Sequence, residues 1–283
     1  MRKTSILKSM AIGLMAMTIM AGCSQPAATT TGAAGATTAA GSSTDWAKIK
    51  ERGYIIIGLD DTFVPMGFKD ESGNLIGFDI DMAKEATKRM GIEPRFQSID
   101  WILKETELNS GKIDLIWNGY TISDERKEKV NFTDSYMEAR QVLVVPVDSP
   151  IKDAAGMAGK TIATQNASTG VDIMNTTGIG KTLKGGEPIL YDSFNDAFMD
   201  MMSKRIEGLV GDEIMIQYVL TQKKILDQYK IIEISTDKYE NGVGVRKSDP
   251  ELLKVLNETI NAMKADGTAA KLSETWFGTN IVK

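Results

Sequence analysis

The chain has 283 residues, a formal charge of −5, no histidine and one cysteine. That removes histidine acid–base catalysis, Ser-His and Cys-His nucleophile pairs, histidine or cysteine-cluster metal sites, and any intrachain disulfide. With 42% hydrophobic and 25% charged residues it is balanced like a soluble globular protein and is long enough for two modest lobes, while its acidity argues against nucleic acid as a partner.

Arg2, Lys3 and Lys8 form a basic start, and residues 10–22 are apolar or small. That run is shorter than the roughly 20 residues a membrane span needs, and it fits the core of a secretory signal. It ends Met20-Ala21-Gly22-Cys23, which resembles the lipobox of bacterial lipoproteins. The resemblance implies cleavage before Cys23 and diacylation of its thiol, with residues 1–22 as signal peptide. All of residues 24–44 except Gln25 and Pro26 are Ala, Thr, Gly or Ser. Such a stretch cannot bury a core, so residues 23–44 read as a flexible tether and the folded part starts near Asp45.

Residues 54–59 form a short apolar run, a buried strand. Residues 60–68 read as a loop and 70–74 as a turn cluster. Residues 79–90 carry Ile80, Ala83, Ala86 and Met90 on one helical face and stop at Gly91. A strand over 95–99, a helix over 102–109 and a strand over 113–117 follow. Ser123 opens a short helix, and 141–147 is a long apolar strand. A second set repeats the alternation. Strands fall at 161–164, 206–210, 230–234 and 241–246. Helices open at Ser168 or run over 193–203, 213–222, 250–265 and 269–276. Strands alternating with helices imply parallel-sheet α/β units. Ser110-Gly111-Lys112-Ile113-Asp114 echoes Ser203-Lys204-Arg205-Ile206-Glu207, each between a helix and a strand, a sign of two similar lobes.

Residues 77–85, Gly-Phe-Asp-Ile-Asp-Met-Ala-Lys-Glu, resemble the signature of the polar amino-acid solute-binding proteins that feed bacterial ABC importers. So do the loop at 60–65, the corner Thr121-Ile122-Ser123-Asp124-Glu125-Arg126, the segment 132–136, and residues 265–268 with Trp276-Phe277-Gly278. The resemblance spans about residues 46–280 in chain order. It implies a two-lobed periplasmic-binding-protein-like α/β fold whose lobes are joined by two hinge strands, with ligand in the cleft. Lobe one would be 45–145 plus 240–283, and lobe two 146–239.

The resemblance also assigns a site. Arg126 would take the ligand carboxylate, for which a guanidinium is chemically suited; without the family it would read as a surface residue among Glu125, Lys127, Glu128 and Lys129. Backbone amides at Ser168, Thr169 and Gly170 would add donors, in a role compatible with plain helix capping. Asp212, with the Gly119 carbonyl and Thr121 hydroxyl, would hold the ammonium, although a helix N-cap is an equal reading of Asp212. Phe63 and Trp101 would sandwich the ligand side chain, and Asp60 would meet its tip. Gln165 stands where glutamine-binding relatives often carry Lys. Trp117 and Tyr120 flank Asn118-Gly119 and are candidates to narrow the pocket.

The expected function is an extracytoplasmic, lipid-anchored monomer that captures a polar L-amino acid and hands it to the permease of an ABC importer. Only the lipid anchor would touch the membrane. No metal, nucleic acid or cofactor is expected, and no phosphate-binding Gly-x-x-x-x-Gly-Lys-Ser/Thr run occurs. The alternatives are a cyclohexadienyl-dehydratase-like enzyme on the same scaffold, with Glu138 or Glu213 as its acid, and a ligand-sensing module.

Overall fold

A computed structural model describes residues 45–283; Cys23, the signal and the tether fall outside the described residues. The first lobe opens with α1 (Asp45–Arg52), β1 (Tyr54–Leu59) and three short antiparallel strands, β2 (Thr62–Phe63), β3 (Gly67–Lys69) and β4 (Leu75–Ile76). It continues through α2 (Phe78–Met90), β5 (Glu93–Ser98), α3 (Lys104–Asn109), β6 (Leu115–Ile116), α4 (Asp124–Lys129) and β7 (Asn131–Phe132). Strand β8 (Met137–Ala139) then leads out. The second lobe holds β9 (Gln141–Pro146), β10 (Ile162–Gln165), α5 (Thr169–Thr176), β11 (Ile189–Tyr191), α6 (Phe194–Met202), β12 (Gly208–Asp212), α7 (Glu213–Gln222) and β13 (Tyr229–Glu233). The chain returns by β14 (Tyr239–Asn241) and closes the first lobe with β15 (Gly244–Val245), α8 (Pro250–Ala265) and α9 (Thr268–Phe277).

Local chemistry explains the main elements. The apolar β1 lies between β5 and β6 and is parallel to both, which is where a strand buried on both faces belongs. Helix α2 carries Asp79 and Asp81 in its first turn and Lys88 and Arg89 in its last, matching its dipole, and ends at Gly91 in the left-handed region. Helix α4 starts where Ser123 Oγ accepts the Arg126 N–H at 3.3 Å.

The sheets follow one plan. The first runs β5-β1-β6-β15-β7 and the second β11-β10-β12-β9-β13. In each, three parallel strands, as the alternation of strands and helices implied, are followed by antiparallel ones that make the sheets mixed. The cause is the connectivity: β9 enters its sheet directly from one crossover and β15 directly from the other. The crossing strands β8 and β14 pair antiparallel, with Glu138 opposite Glu240. Strand β9 pairs with β12 and β13. Residues 141–145, expected in lobe one, therefore lie in the second sheet, and the first crossing falls at Arg140.

The five-residue echo occupies equivalent places. Gly111 and Lys204 both adopt positive φ, 77° and 60°. The Asp114 carboxylate accepts the Ile56 N–H at 2.8 Å, and the Glu207 carboxylate accepts the Thr161 N–H at 2.9 Å. Each acid thus ties the start of the third parallel strand to the central one. The segment read as loop and turn at 60–74 contains β2 and β3; strands this short leave no alternation in the sequence.

Candidate ligand-binding site

A narrow cavity lies between the sheets. Its walls are the residues that follow the carboxyl ends of the parallel strands: Phe63 after β1, Trp101 after β5, Asn118 and Gly119 after β6, the end of β10 and start of α5, Phe194 after β11, and Asp212 at the end of β12. This is where open α/β sheets place ligands.

Arg126 is 5% exposed, which rules out the surface reading. Its guanidinium lies 5.1 Å from the Tyr120 ring centre. It donates to the Thr121 carbonyl at 3.1 Å, Thr169 Oγ1 at 3.3 Å and the Ala167 carbonyl at 3.3 Å, and meets one oxygen of Asp172 at 3.4 Å. Three of these partners belong to the second lobe, so Arg126 spans the cleft from α4. Beside it, Ser168 precedes α5 without capping it by its side chain. Its hydroxyl pairs with Thr164 Oγ1 at 3.1 Å. A side chain at Gly170 would stand 2.4 Å from that same Thr164 oxygen, so the helix start is pressed close to its strand.

Asp212 occupies the N-cap position of α7, yet its carboxylate makes no capping hydrogen bond. Instead it lines the cavity and accepts Gln141 Nε2 at 2.5 Å. The side chain is thus free of the capping role that its position offers. Burial pushes the Asp212 pKa up to about 7, against the opposing pull of Arg126 and the Gln141 hydrogen bond.

Phe63 and Phe194 approach with ring centres 5.8 Å apart, and Trp101 stands edge-on to Tyr120 at 5.7 Å. Trp117 and Tyr120 are fully buried behind the site and are not among the residues lining the cavity. Nor are two predicted contacts. Asp60 is buried and accepts Thr62 N–H at 2.9 Å, Thr62 Oγ1 at 2.6 Å and Gln165 Nε2 at 2.6 Å. Burial raises its pKa above the usual carboxylate range. Thr121 Oγ1 accepts from Thr169 Oγ1 at 2.9 Å and pairs with Asn241 Oδ1 at 3.4 Å, linking both lobes to β14. The remaining predicted residues, Phe63, Trp101, Gly119, Arg126, Gln165, Ser168, Thr169 and Asp212, meet around the one cavity.

Sequence reasoning missed Phe194, Gln141 and Lys104. Lys104 is buried and donates to the Trp101 carbonyl at 3.1 Å and to Ala167 across the cleft at 3.3 Å; burial lowers its pKa to about 8. The two acids considered for an enzyme lie elsewhere. Glu138 sits on crossing strand β8, where Lys283 and Lys238 hold its pKa below the usual range. Glu213 pairs with Gln217 Nε2 at 3.1 Å at the exposed start of α7.

The sequence profile of the bacterial extracellular solute-binding proteins, family 3, matches residues 55–279. The L-cystine-binding protein TcyJ of Escherichia coli (strain K12) is 31% identical over 238 residues, which cover 83% of this chain and 87% of that protein. A substrate-binding protein of an ABC uptake transporter from Streptococcus pneumoniae, solved with bound histidine, superposes with a TM-score of 0.82 at 39% identity, covering 85% of this chain and 98% of that one. The ancestral amino-acid-binding protein AncCDT-1, a precursor of cyclohexadienyl dehydratase, gives 0.74 at 31% identity, covering 81% and 98%.

Proposed function

We propose that this chain, which belongs to the bacterial extracellular solute-binding proteins of family 3, binds a polar L-amino acid between its lobes and delivers it to an ABC importer permease. The observation that carries this reading is that a buried arginine from one lobe and an aspartate from the other line a single small cavity. A zwitterion needs both. Its carboxylate would take the Arg126 fork and the amides at the start of α5. Its ammonium would take Asp212 and the Gly119 carbonyl; the Thr121 hydroxyl is already engaged between the lobes. The methylenes would lie among Phe63, Trp101 and Phe194, with the tip toward Gln165 and Asp60. Asp60 lies at that end outside the cavity wall, bonded to Thr62 and Gln165, and a basic tip such as that of L-arginine would meet it by displacing Gln165 Nε2.

A thermal-shift screen of the folded part against the L-amino acids tests the reading. A binder present at about a hundred times its Kd should add roughly 2.7 kcal/mol of stability. Unchanged melting with every amino acid would sink it.

We also read Cys23 as a diacylated anchor, with the uncharged stretch after it as a tether, so that the lobes work outside the cytoplasm beside the membrane that holds the permease. Two acyl chains give stable attachment where one is marginal. Cys23→Ser should move the protein from the membrane fraction to the soluble fraction. Equal membrane fractions for variant and wild type would refute the anchor and leave the ligand site untouched.

A further inference from the structure

Asp79 is 1% exposed, does not line the cavity, and sits in the first turn of α2. A buried carboxylate needs compensation. No cation supplies it among the described residues: the groups that favour its charged form are the Gly119 amide, the Tyr136 hydroxyl and the Trp117 indole. The Gly119 amide is the firm partner, donating to Oδ2 at 2.6 Å. The Tyr136 hydroxyl and Trp117 indole N–H face the carboxylate and favour its charge, though outside strict hydrogen-bond geometry, and Oδ1 has no partner within it. Helix capping does not account for the group either. Gly77 is the N-cap and has no side chain to offer, and Asp81 in the same turn is already bonded to Trp276 Nε1 at 2.9 Å.

Gly119, the residue Asp79 grips, is a wall of the ligand cavity. It adopts φ +57°, and a side chain there would stand 3.0 Å from the Phe63 ring. It is therefore a left-handed residue wedged between an aromatic wall and the cleft, and its amide is anchored from behind by a carboxylate.

We propose that Asp79 is a positioning residue of the ligand site, holding Gly119 through its amide so that the Gly119 carbonyl stays presented to the ligand's ammonium. The role of Gly119 rests on the amino-acid reading above; the grip of Asp79 on Gly119 does not. Among the described residues, Tyr136 is the titratable group facing the carboxylate, and burial holds its pKa well above normal.

The test has two arms. In the ¹⁵N-labelled folded part without ligand, the Gly119 amide proton should resonate downfield, as a short hydrogen bond to a carboxylate makes it. Asp79→Asn, which keeps an acceptor, should retain much of that displacement, and Asp79→Ala should lose it. A Gly119 resonance unmoved in Asp79→Ala overturns the proposal. The second arm titrates L-arginine into each protein. Asp79→Ala, lacking the acceptor, should bind about ten- to hundred-fold more weakly per folded molecule, and Asp79→Asn should recover most of the loss. Binding by folded Asp79→Ala within about threefold of wild type would show a purely structural role. If the wild type itself takes no amino acid, the functional reading fails, and the Gly119 resonance alone decides whether Asp79 holds Gly119.

Discussion

Arg126→Ala should lose about 2–5 kcal/mol of amino-acid binding, roughly thirty-fold to several thousand-fold in affinity. The size follows from where the side chain sits. Arg126 is 5% exposed, with its guanidinium against the Tyr120 ring, so a ligand carboxylate paired with it would be largely desolvated. Removing the cation leaves that carboxylate buried without its partner, which costs more than the pair contributes. A surface arginine would instead alter stability by no more than about 0.5 kcal/mol and leave binding intact. The loss has a second source. Arg126 also donates to Thr169 Oγ1 and the Ala167 carbonyl, so it holds the lobes together across the cleft. Arg126→Lys separates the two sources, because an ammonium keeps the charge but not the planar fork. It should recover only part of the affinity. Calorimetric titration with the amino acid found in the screen decides the matter. Affinity of Arg126→Ala within about threefold of wild type would place the carboxylate elsewhere.

What could be read in advance depended on how local each signal was. Helix α2 is written in its own residues: charges matched to its dipole, an apolar face and a closing glycine. The Ser123 cap that starts α4, and with it the position of Arg126, is equally local. The two-lobe echo is local as well, since each copy is a left-handed turn followed by an acid that reaches one neighbouring strand. Gln141 is a different case. It touches Asp212 because β9 runs antiparallel to β12 with Gln141 directly opposite Asp212. The two are far apart in sequence, and the register exists only after the crossing strand has entered the second sheet. The sequence places Phe194 only in a helix over 193–203; it becomes a cavity wall because the other lobe brings Phe63 against it. Asp60 shows the same limit from the other side. Its place after β1 was read correctly, but its carboxylate is occupied by Thr62 and by a glutamine from the other lobe.

Binding should strengthen with pH, and Asp212 should be the reason. In the free protein, burial holds its pKa near 7, so close to neutrality a substantial fraction of the molecules carry it protonated. A ligand ammonium beside it favours the charged form and lowers the pKa in the complex. Binding therefore releases a proton, and affinity rises as pH climbs through the free-state value, by roughly tenfold between pH 6 and pH 8. The same shift acts on the free fold with a defined sign. A carboxyl whose folded pKa lies above its unfolded value of about 3.9 contributes stability below that value and loses it as pH rises through about 7. Asp79 adds in the same direction, because burial raises it as well. These two groups should thus make the ligand-free protein less stable at pH 8 than at pH 5, and a bound amino acid should offset the part that belongs to Asp212. Asp212→Asn keeps an oxygen for Gln141 but removes the charge. It should cost about 2–5 kcal/mol of binding, as for any truncated partner of a buried charge pair, and it should flatten the affinity–pH profile. Titrations in buffers of different ionisation enthalpy count the released protons directly. A slope that persists unchanged in Asp212→Asn would take Asp212 out of the ammonium site.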